Sequence, residues 1–398
     1  SPYNEYLKLK GYEGENPWAD FANAGIDENN QMTSGWFMRH ANTAANIEEE
    51  DSETPWLTSE AIKFISEKKE KPWLCHLSYI KPHWPYIVPA PYNEMYDASD
   101  VVDVIRSKSE LEDTHPVFRA FMENTIGKTF SRNEVREAVI PAYMGLIKQC
   151  DDQMGRLFKY LKESGEMDNT IIVLTSDHGD YLGDHWLGEK DLFHAQSVKV
   201  PLIIYDPSHQ ADCTRGMVSD ALVEAIDLTA SFVEHASGEV PKHILEGKSL
   251  WPIVYGLQKE LDRDFVVSEY DYSQQKMAKS LGVQPKDARL FMIADKEWKF
   301  MHAEGGFRPM LFDLKKDPHE LNDLGADSAY QNIIDIMYQR LGHWSLRMSQ
   351  RTTIDDDTIE KKQSSNSDVG IILGVYDDNE ISDRSSSFYK GLSKGRYS

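Results

Sequence analysis

Apolar positions along the chain alternate between helical and strand periods. Over 57–69, Leu57, Ala61, Ile62 and Ile65 recur at helical spacing, and "PWLCHLSYI" (72–80) follows as a short buried strand. Over 138–163, Tyr143, Leu146, Ile147, Cys150, Met154, Leu157, Phe158 and Leu161 fall on one face, which predicts an amphipathic packing helix. The run Ile171, Ile172, Val173, Leu174, ended by Thr175 and Ser176, predicts a central strand of a parallel sheet, covered on both faces. "VPLIIYD" (200–206), a helix over 219–236 and "FVVSEY" (265–270) continue a βαβ rhythm. The expected class is therefore α/β, a mostly parallel sheet sandwiched by helices, filling residues 1–285.

The period changes beyond 285. "ARLFMIADKEWKFMHAEGGFRPMLFDL" (288–314) alternates in short runs between turn residues, which predicts an antiparallel meander, and a helix over 329–348 would cover it. A smaller α+β subdomain is thus expected over 286–350. Residues 351–368 are polar and charged, with Asp355, Asp356 and Asp357, and predict a linker. The tail to 398 holds an isolated apolar strand, "VGIILGVYDD" (369–378), whose docking on a neighbouring subunit would make the protein a homo-oligomer.

Charge and composition narrow the partners. With 43 Lys+Arg against 66 Asp+Glu, the net charge of -23 argues against a nucleic-acid or other general polyanion-binding surface. A small anionic substrate would need a local cationic pocket. No stretch approaches the roughly 18 uninterrupted apolar residues of a membrane span, so no membrane partner is expected. Three cysteines, Cys75, Cys150 and Cys213, suggest a reducing compartment, and there is no basic-then-apolar leader, so the expected location is cytoplasmic. The chain opens Ser1-Pro2-Tyr3 without a Met, so Ser1 is not expected to be the natural start.

Candidate chemistry gathers where apolar runs stop. After Ser176 the chain turns into "DHGDYLGDHWLGEKD" at a strand's carboxyl end, the edge at which α/β sheets bind ligands. Asp177 and His178 offer an oxygen and a nitrogen suited to a divalent cation, and Gly179 lets the backbone turn tightly. Equally, Asp177 could cap a turn and His178 face solvent. Lys190, twelve residues past His178, is a point charge able to reach an ester oxygen; its alternative is a solvated lysine paired with Glu189 or Asp191. In "KPHWPY" (81–86) two prolines stiffen the loop that carries His83, a candidate proton donor or acceptor. The competing reading is that Trp84 and Tyr86 pack the loop and His83 is incidental.

These segments resemble a known family. "TSDHGDYLGDHWLGEKDLFHAQSVKVPLIIYDP" looks like the signature of the sulfatase branch of the alkaline phosphatase superfamily, and "SYIKPHWPY", "CDDQMGRLFKYL", "LEGKSLWPI" and "LFDLKKDPHELNDL" match further landmarks in order. "YLKLKGYEGENPWADFANA" and "GIILGVYDDNE" are most similar to its phosphonate monoester hydrolase and phosphodiesterase group, with choline-sulfatase-like and aryl sulfatase enzymes next. The resemblance implies an alkaline-phosphatase-like fold and hydrolysis of a sulfate, phosphonate or phosphate ester. It implies that Asp177 and His178 ligate one divalent ion (Ca, Mn or Mg, with Zn also compatible), and that Lys190 and His83 contact the transferred group and its leaving group. The family's nucleophile is a formylglycine made from the Cys or Ser of a Cys/Ser-x-Pro/Ala-x-Arg motif. No such motif occurs in the 398 residues, and Cys75, Cys150 and Cys213 each have the wrong neighbours. The family's paired metal carboxylates are missing too. Asp151-Asp152 interrupts a helix and carries little weight as that pair. The nucleophile is therefore expected in an N-terminal region outside this chain, which alone should be inactive. An alternative is an inactive homologue acting as a binding or oligomerisation partner. A third reading, a two-metal phosphatase, would call on His185 and His194, whose spacing does not match.

Overall fold

The computed structural model describes residues 1–67, 71–240, 245–346 and 361. The expected linker and the apolar tail strand 369–378 lie outside the described residues, as does the oligomeric contact proposed for them.

Helical spacing over 57–69 appears as the helix Glu53–Glu67, and the longer stripe as the helix Asn133–Glu163. The latter starts earlier than expected, and its buried face runs through Val135, Val139, Ala142, Leu146 and Cys150, leaving Ile147 exposed. Asp151 and Asp152 sit on its solvent side, both ion-paired with Lys148.

Eight strands are described: β1 (Ala24–Ile26), β2 (Met32–Ser34), β3 (Ile172–Thr175), β4 (Leu202–Tyr205), β5 (Val266–Asp271), β6 (Arg289–Ala294), β7 (Trp298–Ala303) and β8 (Met310–Asp313). Every ladder among the described residues is antiparallel: β1 with β2, β3 with β4, and β5-β6-β7-β8 in sequence. No parallel ladder of the kind expected from the βαβ rhythm occurs among the described residues. Thr175 at the end of β3 is paired with Leu202 at the start of β4, so the connection between them leaves and re-enters at the same edge. Its only α-helix, Ala195–Val198, is too short to carry the chain back across the sheet, as parallel pairing requires. Segment 72–80 runs extended without a ladder among the described residues, and its side chains alternate in exposure. Tyr79 and Trp73 turn inward, the first bonded to Thr58 (2.7 Å) and the second beside Phe64, while Leu74 is 74% exposed. One face is packed, not both.

The meander is as expected, with β5 added to its edge. Period-2 alternation splits its residues cleanly. Phe291, Ile293, Phe300 and Leu311 pack under the helix Gln331–Ser345 through Ile334, Met337 and Leu341. Leu290, Met292, Met301, Met310 and Phe312 face the other way, onto Val117, Phe118 and Phe121 of the helix Pro116–Met122 and onto Tyr181, Leu187, Leu192 and Phe193. Those last four belong to the polar loop after β3, so the C-terminal sheet is the floor on which that loop is built.

Candidate active site

The loop leaving β3 is pinned to the backbone at once. Asp177 Oδ1 accepts the His178 amide (2.9 Å), Ser176 Oγ donates to the His178 carbonyl (2.6 Å), and the Gly179 amide donates to the Ser197 carbonyl (2.8 Å). A Cβ on Gly179 would lie 1.9 Å from the Gln196 carbonyl oxygen, so glycine is required there by close approach. Gly179→Ala is expected to cost about 1–3 kcal/mol by forcing the two segments apart. By contrast Gly155→Ala, on an open face of the long helix, should gain about 0.5–1 kcal/mol. Urea denaturation of both variants checks the pair of signs.

From 182 to 189 the chain folds on itself in an unusual way. Leu182, His185, Trp186 and Glu189 all have left-handed φ values, as does Gly183. Conformations that disfavour side chains persist only where surroundings over-determine them. Here the Tyr181 amide bonds the Glu189 carbonyl, the Gly183 amide the Leu187 carbonyl, and the His185 amide the Ile105 carbonyl, each at 2.8 Å. His185 is fully buried, bonded through Nδ1 to Glu110 (2.7 Å) and stacked on His194 at 3.9 Å, while His194 Nδ1 meets the Tyr181 hydroxyl (3.0 Å). Both imidazoles are thus packed into the loop's core, His185 with its Nε2 left without a hydrogen-bond partner among the described residues.

The loop delivers Lys190 to His83: the Lys190 ammonium donates to His83 Nε2 at 3.4 Å. His83 Nδ1 donates to the Trp84 carbonyl (2.8 Å), which fixes the tautomer and leaves Nε2 with its lone pair toward the lysine. Burial lowers the His83 pKa, and Lys190, Lys81 and His178 lower it further, so the ring is neutral beside a cation. The two loops are joined a second time through Asp180, which accepts from the Tyr86 hydroxyl (2.8 Å) and the Leu182 amide (3.1 Å). Burial pushes Asp180 up to about 6 and Glu189 up to about 7, and raises Asp191 as well. Asp180 and His83 both feel Lys190 and His178, so three of the four residues singled out from sequence face one cluster, and Asp177 meets the adjacent His178 from an exposed position.

Asp177 and His178 fit part of a cation's ligand set. His178 Nδ1 donates to the Gly179 carbonyl (2.7 Å), the outer hydrogen bond that orients a ligating imidazole. With the ring neutral, Nε2 and Asp177 Oδ2 are two acceptors 3.4 Å apart, about the spacing of two ligands on one tetrahedral ion. The Asp177 side chain is largely exposed, and among the described residues no group of three or more His, Cys, Asp or Glu is placed to hold a metal. Tyr86, Asp180 and Lys81 were not foreseen. The signal for all three was available, since each stands in the same short motif as a residue that was.

Comparison with known proteins decides the family. The model of the family described as "Sulfatase" matches residues 6–239, and that of "N-sulphoglucosamine sulphohydrolase, C-terminal" matches 183–347. The chain belongs to the sulfatase family. This sulfatase-family chain is 32% identical over 326 residues to the multifunctional alkaline phosphatase superfamily protein PehA of Trinickia caryophylli, covering 77% of this chain and 62% of that one. It is 28% identical to an arylsulfatase of Clostridium perfringens, covering 84% and 64%. Among solved structures it superposes on the phosphonate monoester hydrolase of Silicibacter pomeroyi with a TM-score of 0.76 at 27% identity, covering 87% of this chain and 69% of that one. For the phosphonate monoester hydrolase of Agrobacterium radiobacter the values are 0.73, 28%, 86% and 68%. The fold is therefore the alkaline-phosphatase-like α/β fold. The chain spans 62–64% of the length of these curated relatives.

Proposed function

We propose that the chain supplies the substrate-binding and part of the metal-binding half of a metal-dependent hydrolase of sulfate or phosphonate and phosphate esters. The observation that carries it is the Lys190 to His83 contact at 3.4 Å, between a cation and a neutral imidazole of fixed tautomer on converging loops. Lys190 binds a non-bridging oxygen of the anionic ester. An arriving anion also offsets the positive charges that hold the His83 pKa down, so a proton can reside on Nε2 and be given to the leaving oxygen. Held by Asp177, His178 and donors outside this pair, a divalent ion would supply charge neutralisation at the same oxygens. A formylglycine would supply the nucleophile; the similarity to sulfatases and phosphonate monoester hydrolases supports it, although its motif does not occur in these 398 residues.

With two metal donors together among the described residues, a second reading is an inactive homologue that binds or oligomerises. Two measurements separate them. Mn, Ca, Mg and Zn binding to the purified chain, followed by calorimetry, is expected to fall at least tenfold in Asp177→Ala and in His178→Ala, as loss of a ligand or its orientation does. Equal affinity in both variants sinks the metal assignment. Aryl sulfate, aryl phosphonate monoester and aryl phosphodiester are expected to show negligible turnover with this chain alone, because the electrostatic remainder without a nucleophile is small. Robust turnover would require a nucleophile among the residues present.

A further inference from the structure

The loop that presents His83 begins with a lysine whose ammonium points into the protein. Lys81 Nζ donates to the Pro85 carbonyl at 2.7 Å and to the Asn23 side-chain oxygen at 3.3 Å. Its own carbonyl accepts from Cys150 Sγ (3.4 Å) of the long helix. Beside it lies a cavity of about 20 Å³ lined by Asn23, Ser52, Glu53, Thr54 and Gln149 among others. Such a space is large enough for one water with polar partners. Burial pushes Lys81 down to about 8 against the opposing pull of Glu53, while burial raises Glu53.

An ammonium removed from water is expensive, and an apolar side chain of similar size would be cheaper at the same place. What the charge secures is local. The bond from Lys81 to the Pro85 carbonyl closes the loop across its mouth, and within it lie His83, whose amide bonds the Ile80 carbonyl (3.0 Å), and the Trp84 carbonyl that fixes the His83 tautomer. Next along the chain, Tyr86 is bonded to Asp180 on the opposite loop. Moving Pro85 would therefore move both the acceptor that orients His83 and the tie that holds the two loops in register.

We propose that Lys81 is a positioning residue, a buried ammonium that closes the loop Lys81 to Pro85 and so aims His83 Nε2 at Lys190. The proposal rests on the reading that His83 meets substrate, but its geometry is measurable without turnover. In the 398-residue chain labelled with 15N-histidine, the His83 ring signals are assigned by their loss in His83→Gln. Wild type is expected to show a protected Nδ1–H. Lys81→Met is expected to lose that protection and to shift the His83 titration upward, because the Lys81 charge, which together with that of Lys190 lowers the His83 pKa, is gone. Lys81→Gln, which can still donate but carries no charge, should fall between the two.

In a preparation that hydrolyses ester, Lys81→Met should lower kcat about 10- to 100-fold with a smaller change in KM, the cost of a misplaced group. Unchanged His83 signals in either folded variant overturn the proposal. So does failure of both variants to fold, which would make Lys81 a determinant of folding. Normal turnover in His83→Gln would instead end the functional reading of His83, leaving the Lys81 coupling to stand on the spectra alone.

Discussion

Replacing Lys299 by methionine is expected to lower the unfolding free energy by about 3–5 kcal/mol, the cost of leaving a buried carboxylate without its partner. Lys299 on β7 is 5% exposed and Glu320 is 1% exposed, and their charged groups meet at 2.5 Å. The ammonium also donates to the Phe193 carbonyl (2.9 Å), and the carboxylate accepts the Ala195 amide (2.7 Å). One ion pair thus grips the chain on both sides of His194, just past Lys190. Burial lowers the Lys299 pKa and Glu320 opposes it. Without the lysine, Glu320 must protonate or draw in water, and either route loosens the floor of the site loop. The double substitution Lys299→Met with Glu320→Gln should recover much of the loss, since no uncompensated charge remains. Urea denaturation with an unchanged m-value tests this. A loss below about 1 kcal/mol would mean that the pair is relaxed by solvent and contributes no more than a surface bridge.

The legible parts of this fold are those set by local period. The helix Glu53–Glu67, the meander through β6, β7 and β8 and the covering helix Gln331–Ser345 all follow from apolar spacing, because each buries one face and shows the other. Strand direction was not legible. Ile172, Val173 and Leu174 form the same apolar run whichever way a neighbour points; the pairing of Thr175 with Leu202 is decided by how the loop between them closes. "FVVSEY" failed for the same reason, its strand pairing with β6 instead of joining a parallel sheet.

The site divides along the same line. Asp177, His178, Lys190 and His83 could be picked out because each stands in a polar motif just after an apolar segment. Their convergence could not. It depends on left-handed backbone at Leu182, His185, Trp186 and Glu189, and on contacts between residues distant in sequence: Tyr86 with Asp180, Ile105 with His185, and Lys299 with Phe193. No period in the chain announces such pairings. They are set by which buried polar groups find partners when the loop packs against the meander.

Lys190→Ala and His83→Ala are expected to separate chemistry from folding. Lys190 anchors the fold through its backbone, whose carbonyl accepts from Ser197 Oγ (2.5 Å), whereas its ammonium reaches His83. Truncation therefore spares the anchor, and the melting temperature should stay close to wild type. In an enzyme preparation that turns over ester, loss of a preorganised cation at the developing charge should lower kcat/KM by about 10²–10³. Loss of the proton donor at His83 should cost about 10²–10⁴. Because the two groups touch, the double variant should lose less than the product of the single effects. Acid stability supplies an independent sign. The folded His83 pKa lies below its unfolded value, so its contribution to stability is present above the ordinary imidazole range and is lost as pH falls through the folded value. Lys190→Ala removes a neighbouring cation, raises the folded His83 pKa toward the unfolded one, and should shrink that acid-side loss. A collapse of melting temperature with normal activity per folded molecule would make both residues structural, and an unchanged acid limb in Lys190→Ala would mean that the ammonium does not face the ring in solution.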